Sequence, residues 1–495
     1  MRRQLMWGLL AVAVAVAGVA GDRAWQGAPR ARGAAGAVGP MAPVAPGLGS
    51  QVWVARYQAP GNGHSIPSSV AVSPAGRTVF VTGGGSTGGI SGYDYATVAY
   101  NAATGAQEWI ARYHGPGNGN SLASSVAVSP SGRTVFVTGS SRGTTPAFDY
   151  ATVAYNAATG AQEWVARYHG PGNGNAVAFS VAVSPAGRAV FVTGYSRGTT
   201  SGHGNATTVA YNAATGAQEW VARYHGPGNG VAIYGGPNAS PASVAVSPSG
   251  RTVFVVTGGD TLATWAFDYA TVAYNAATGA QEWVARYHGP GNGYHAASSV
   301  AVSPSGGTVF VTGGSAQSTS AYDYATVAYN TATGAQEWVA RYHGPGPGNS
   351  LASSVAVSPS GRTVFVTGGS AQSASARDYV TVAYNAATGA QEWVARYHGP
   401  VTHYSQESRY QGPAYNAARS VAVSPSGRTV FVTGQDAGTT PAFDYATVAY
   451  DATTGAQEWV ARYSASGGAE ALAVSPDGGT VFVFGGSYVT VAYHG

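Results

Sequence analysis

Asp94–Gly117 reads DYATVAYNAATGAQEWIARYHGPG, and most of the chain is this text and its companion SSVAVSPSGRTVFVTG (124–139) written again. Trp53, Trp109, Trp164, Trp220, Trp283, Trp338, Trp393 and Trp459 recur in one short phrase, W[VI]ARY, at steps of 56, 55, 56, 63, 55, 55 and 66 residues. A fixed period of this length means an array of one supersecondary unit, so the unit is read before any single residue.

Within a unit, four runs alternate by twos between turn residues, which is the strand signal. In the first complete unit they are SVAVS (69–73), TVFVTG (78–83), ATVAY (96–100) and EWIARY (108–113). Pro74-Ala75-Gly76-Arg77 joins the first pair as a tight turn, with Pro presetting φ and Gly supplying the conformation other residues avoid. Asn101 to Gly105 joins the third run to the fourth, with Asn capping its own turn and Gly as the left-handed residue of a bulge. No segment carries a 3.6-residue period, so the protein is all-β.

Counting decides the architecture. The first three strand types each occur eight times, and so does the Trp strand, but out of phase: the chain opens with an orphan fourth strand, Gln51–Tyr57, and ends after a third strand, Val489–Tyr493. If the orphan completes the last sheet, eight four-stranded antiparallel blades close into a β-propeller with no raw edge at the join. An open solenoid and a ring of another size are the alternatives; the missing capping segments count against the solenoid. The blade Trp and the Tyr two positions after Ala111 are expected between sheets, Glu108 and Arg112 as a same-face pair near the rim, and the Asp of DYAT as a loop-to-strand hydrogen-bonding residue.

Ala99–Trp109, AYNAATGAQEW, resembles the repeat of quinoprotein-like (PQQ-like) propellers, and SVAVSPSGRTVFVTG with DYATVAYN resembles secreted bacterial proteins of the seven-bladed-propeller-repeat type. The resemblance covers nearly all of 51–495 and speaks to scaffold, not activity. Its quinoprotein dehydrogenase branch implies pyrroloquinoline quinone with calcium, an Asp base and often adjacent cysteines. None of those functional motifs is matched, and the chain has no cysteine. A redox enzyme is therefore the runner-up, and no cofactor, catalytic residue or metal ligand is assigned.

Residues 1–21 have the form of a signal peptide: Arg2 and Arg3, an apolar run from Leu5 to Ala20, then small residues. That run is shorter than the ~20 residues that span a bilayer, so cleavage is expected rather than a membrane anchor, with the mature protein secreted or in the cell envelope. Arg2-Arg3 also fits the twin-arginine route loosely. Residues 22–50 read as an Ala/Gly/Pro-rich spacer and 51–495 as the propeller, expected to be monomeric.

Charged residues are 9% of the chain, and the net charge of +4 rests on Arg alone. Spread one or two per repeat, those arginines form no basic stripe, which argues against nucleic acid. Of twenty acidic residues, thirteen belong to the repeat, leaving little for a carboxylate pair. Six His recur in RYHGPG, but equivalent positions in different blades lie too far apart for one metal shell.

Variation in length collects on the face holding the second-to-third and blade-to-blade loops. The 399–419 loop brings in His403, Tyr404, Glu407, Arg409, Tyr410 and Tyr415, and the loop after Val256 adds Asp260 and Trp265. Aromatic and Arg side chains on loops of a rigid scaffold are common recognition anchors. This face is expected to bind an extracellular or envelope protein or a polysaccharide. A drifted insertion that binds nothing, and weak multivalent grooves repeated around the ring, are the competing readings.

Overall fold

Each first-to-second turn is built by its own residues. Gly76 takes φ +71°, and the Ser73 hydroxyl accepts from the backbone N–H of Arg77 (3.1 Å) and Thr78 (3.0 Å). In the third-to-fourth turn, Asn101 Oδ1 accepts from the N–H of Ala103 and Thr104, both at 3.1 Å, and the pairing slips between Ala99 and Tyr100, the expected bulge. Gly105, at φ +71°, has a second reason to be Gly: a Cβ there would lie 2.6 Å from the Trp53 indole.

In this computed structural model the described residues are 47–495 apart from 61–64, 87–91, 117–118, 144–146, 172–173, 198–203, 227–242, 261–266, 291–292, 294, 319–320, 347, 374–375, 400–413 and 438–442. Residues 1–21, and the spacer as far as residue 46, lie outside them.

The strands pair as eight antiparallel sheets. Blade 1 is Ser65–Val72, Thr78–Ser86, Tyr93–Asn101 and Gln107–Tyr113, and blades 2 to 7 repeat that order. Blade 8 is Ala469–Val474, Thr480–Gly485 and Val489–His494, completed by Gln51–Arg56 from the other end of the chain. That strand runs antiparallel to the last, with Trp53 opposite Ala492 and Arg56 opposite Val489. The clasp starts two residues before the expected strand, because Gly49 N–H donates to the His494 carbonyl (2.8 Å) and His494 N–H to the Ser50 carbonyl (2.9 Å). Blade 6 departs from four strands: Ala414–Tyr415 adds a short parallel pairing to Ala376 and Arg377.

First strands of successive blades contact one another around the whole ring, the last against the first, so they are innermost. The hydrophobic core is eight interfaces rather than one centre, each formed by two adjacent blades. Trp109 packs on Phe80 (5.8 Å between centroids) and on Tyr155 of the next blade (6.3 Å), and its indole N–H donates to the Ala157 carbonyl at 2.9 Å. Truncating a Trp so placed costs about 3–5 kcal/mol. Deeper in the same joint, the buried Tyr95 hydroxyl reaches the Ala151 carbonyl of blade 2 (3.0 Å), and the tie recurs in every blade but the third, where Ala206 replaces the Tyr, until Tyr488 of blade 8 donates to Ala96 of blade 1.

Candidate functional site

At the upper ends of the outer strands, side chains link one blade to the next. Each fourth-strand Arg donates to the fourth-strand Tyr hydroxyl of the preceding blade: Arg167 to Tyr113 (2.7 Å), Arg341 to Tyr287 (2.6 Å), and finally Arg56 of the clasp to Tyr463 (2.5 Å). Arg167 also reaches Asp149 at 2.7 Å and Arg341 reaches Asp323 at 3.0 Å. The repeat Asp is buried, and its second neighbour is the RYHGPG histidine: His114 on Asp94 (2.7 Å), His288 on Asp268 (2.6 Å), His343 on Asp323 (2.6 Å). Those imidazoles remain half to two-thirds exposed, each held to its own blade.

The expected Glu–Arg pair does not form. Four residues of extended strand separate Glu108 from Arg112 by about 13 Å, so Arg112 turns to Tyr57 and Asp94 while Glu108 accepts from Asn101.

Between blades 6 and 7 this network changes composition. The position of Ser141 in blade 2 and Ser315 in blade 5 is Asp436, and the histidine position is Ser464. Asp436 is fully buried. Its Oδ2 accepts from the Tyr397 hydroxyl (3.1 Å) and lies 3.3 Å from Arg462, while its Oδ1 has no hydrogen-bond partner among the described residues. Directly across the strand pair stands Asp444, which takes a 3.4 Å hydrogen bond from Ser464.

Burial pushes the Asp436 carboxyl up from the usual carboxylate range; Arg462 and Tyr397 oppose that shift and Asp444 adds to it. Burial and the Asp436 charge push Tyr397 up to about 12. On the adjoining inner strands Arg419 donates to Gln435 (3.2 Å), and Glu470 is raised by burial with Arg419 opposing. A groove of about 550 Å³ runs along this joint, lined by Arg396, Tyr397, His398, Gln457, Val460 and Arg462.

The loop singled out in the sequence springs from this same joint. A Cβ on Gly399 would lie 2.0 Å from Asp436 Oδ1, and the chain returns at Asn416 beside it. His403, Tyr404, Glu407, Arg409 and Tyr410 lie outside the described residues, as does Trp265. Tyr415 is placed by its backbone in the added pairing, and Asp260 ends its strand opposite Phe267. Asp436 is one of the few acids outside the repeat, and aligning TGQD (433–436) with TGSS (138–141) shows a carboxylate where blades 2, 3, 5 and 6 carry Ser and blades 1 and 4 Gly. Sequence reading passes over the residue before each repeat Asp, which is aromatic in several blades: Phe443 is 39% exposed, and Arg142 stacks over Phe148 at 5.0 Å.

Calcium held with a quinone needs several converging oxygen donors. Among the described residues no three His, Asp or Glu side chains converge in that way. The described residues offer no such donor set, and no redox step is derived through that group. Among the described residues, no helix is long and apolar enough to cross a membrane.

No curated protein matches the chain significantly. The fold is similar to the Dos1 propeller, with a TM-score of 0.52 at 11% identity over 89% of this chain and 95% of that one. It also aligns with BamB from Moraxella catarrhalis at TM-score 0.47 and 16% identity, over 90% and 100% of the two chains. A family model described as outer membrane protein assembly factor BamB matches residues 35–236 and 149–483. With that match covering most of the sequence, the chain belongs to this PQQ-like, BamB-type family of β-propeller repeat proteins.

Proposed function

We propose that this propeller is a non-catalytic binding protein of the cell envelope or extracellular space, and that the upper face at the blade 6–blade 7 joint receives a protein partner. One observation carries the reading. In a ring of near-copies, several departures fall together at one joint: Asp436, Ser464, Asn416, Arg419 and the longest insertion, beside a groove wide enough for several side chains. Rigid strands with a variable loop above them are a common basis for specific recognition. Family membership supports a protein partner and an envelope location, and the leader-like residues 1–21 support export.

The near-identity of the blades supplies an internal control. A photo-crosslinker at Val460 should capture an envelope partner, and the same probe at the equivalent Val165 of blade 2 should not. Equal capture at both joints would remove this joint from consideration. Capture only by glycan arrays would move the ligand to a polysaccharide. Substituting Tyr404, Arg409 and Tyr410 by Ala tests whether the insertion adds specificity.

A further inference from the structure

The lower face carries a feature that even spacing conceals in the sequence. The residue after the turn glycine is Arg in six blades: Arg77, Arg133, Arg188, Arg251, Arg362 and Arg428. These turns join the innermost strand to its neighbour, so they encircle the axis. They also touch: a Cβ built on each turn glycine would lie 3.1–3.5 Å from the turn proline of the preceding blade, at all eight joints including Gly76 on Pro476. Closure therefore gathers arginines that lie 55 to 111 residues from one to the next in the chain into one ring.

All six side chains are exposed, and none makes an ion pair among the described residues. Blades 1 to 4 form an arc of four guanidinium groups, facing the pair on blades 6 and 7 across the axis. Blades 5 and 8 leave gaps at Gly307 and Gly479, and exposed Asp477 stands beside the second gap. Seven repeat glutamates and Asp451 occupy the outer turns of the same face. They are held on the outermost strands by contacts to the strands inside them: Asn101, Asn212 and Asn385 donate to Glu108, Glu219 and Glu392 at 3.4–3.5 Å, and Thr252 and Thr308 donate to Glu282 and Glu337 at 3.1 Å, with no Glu within ion-pair distance of a turn Arg among the described residues.

We propose that the centre of the lower face binds a compact polyanion bearing several phosphate groups, seated over the axis by the six arginines. Guanidinium forks match phosphate oxygens two at a time and keep their charge at any working pH. Several such contacts act together on one multivalent ligand although each exposed pair is weak. The acidic rim restricts the size of the occupant. An anionic bilayer or an extended anionic polymer laid flat on this face would cross the glutamates, whereas a compact ligand meets the inner ring alone. This site surrounds the axis at the innermost turns, whereas the blade 6–blade 7 groove is lined by outer-strand residues, and it does not depend on the reading of that groove.

The test is calorimetric titration of the intact ring with inositol hexakisphosphate and with tripolyphosphate. Binding should weaken steeply between about 50 and 300 mM salt, and Arg133→Gln with Arg188→Gln should lower affinity about tenfold at unchanged melting temperature. The converse variant is sterically open, since a Cβ on Gly307 meets nothing closer than the Ser305 hydroxyl at 3.6 Å. Gly307→Arg should tighten binding by filling one gap. The proposal is overturned if neither phosphate compound binds, if affinity ignores both the removed and the added arginines, or if the face binds only vesicles of anionic lipid.

Discussion

Trp459 packs its indole against the backbone of Gly49, so closely that a Cβ on that glycine would lie 2.7 Å from the ring. The two residues are more than four hundred positions apart, and their contact closes the propeller. Gly49 takes the place that Gly105, Gly160 and their equivalents take against the other seven indoles. One part of the joint is not reproduced. Seven indole N–H groups donate to a carbonyl in the neighbouring third-to-fourth turn, while that of Trp459 is buried with no acceptor among the described residues. Blade 8 draws its third and fourth strands from opposite ends of the chain, so the joining turn that supplies the carbonyl elsewhere is replaced here by two separate segments.

Substitution of two indoles should therefore separate packing from hydrogen bonding. Trp109→Phe loses ring area and leaves the Ala157 carbonyl unpaired inside the joint, which adds about 1–3 kcal/mol. Trp459→Phe loses similar area but removes a donor that has no partner among the described residues. Melting temperatures should fall further for the first variant than for the second; the reverse order would mean that the closing joint has a different structure.

The clasp makes a second prediction. Deleting residues 1–46 should leave a monomeric ring by light scattering. Deleting 1–57 strips the partner from Val489–His494 and exposes a strand edge able to pair with another chain. That variant should self-associate, and a peptide of residues 47–57 added in trans should reverse the association.

Fold was legible because the repeat states it eight times: strand order, both turns, the indole positions and the split last blade follow from period and turn chemistry alone. The site was less legible. Asp436 is unremarkable as a letter and becomes informative only when strand register sets it opposite Asp444 and under Tyr397 of the preceding blade. The arginine ring was hidden for a related reason. Regular spacing along a chain looks dispersed until closure converts it into a circle, so an argument from spacing against a charged patch held for the line and not for the ring. The rim pairing of Glu108 with Arg112 failed on distance, because sharing a strand face does not bring residues four apart into contact.

Two turn glycines with the same backbone test what each is for. Gly105 and Gly132 both sit at φ +71°, so replacement by Ala costs each about 1 kcal/mol for the left-handed conformation. Beyond that they differ: a Cβ on Gly132 meets the Pro74 ring at an ordinary 3.5 Å, while one on Gly105 would meet Trp53 at 2.6 Å. Gly105→Ala should therefore cost a further ~1–3 kcal/mol of overpacking. Equal melting temperatures for the two variants would show that the indole yields freely.

The carboxylate at the candidate site predicts a pH dependence of definite sign. Burial raises the Asp436 pKa in the folded ring, so the native state holds that proton more tightly than the unfolded chain does. Its contribution to stability is complete below the unfolded value, near 3.9, and is lost as pH rises through the higher folded value. Asp378 and Glu470, also raised chiefly by burial, act in the same direction. Asp451 in the outer turn, lowered by its hydrogen bonds to Thr454, acts in the opposite one: its stabilisation is present above the unfolded value and fades as pH falls through the folded value. Asp436→Asn keeps the shape and cannot ionise, so its melting temperature should decline less than that of the parent from about pH 3.5 to pH 7. Asp451→Asn should instead flatten the loss on the acid side. If Asp436→Asn leaves the profile unchanged, Asp436 titrates alike in the folded and unfolded chain, and the buried carboxylate pair at the blade 6–blade 7 joint is not the feature that distinguishes this site.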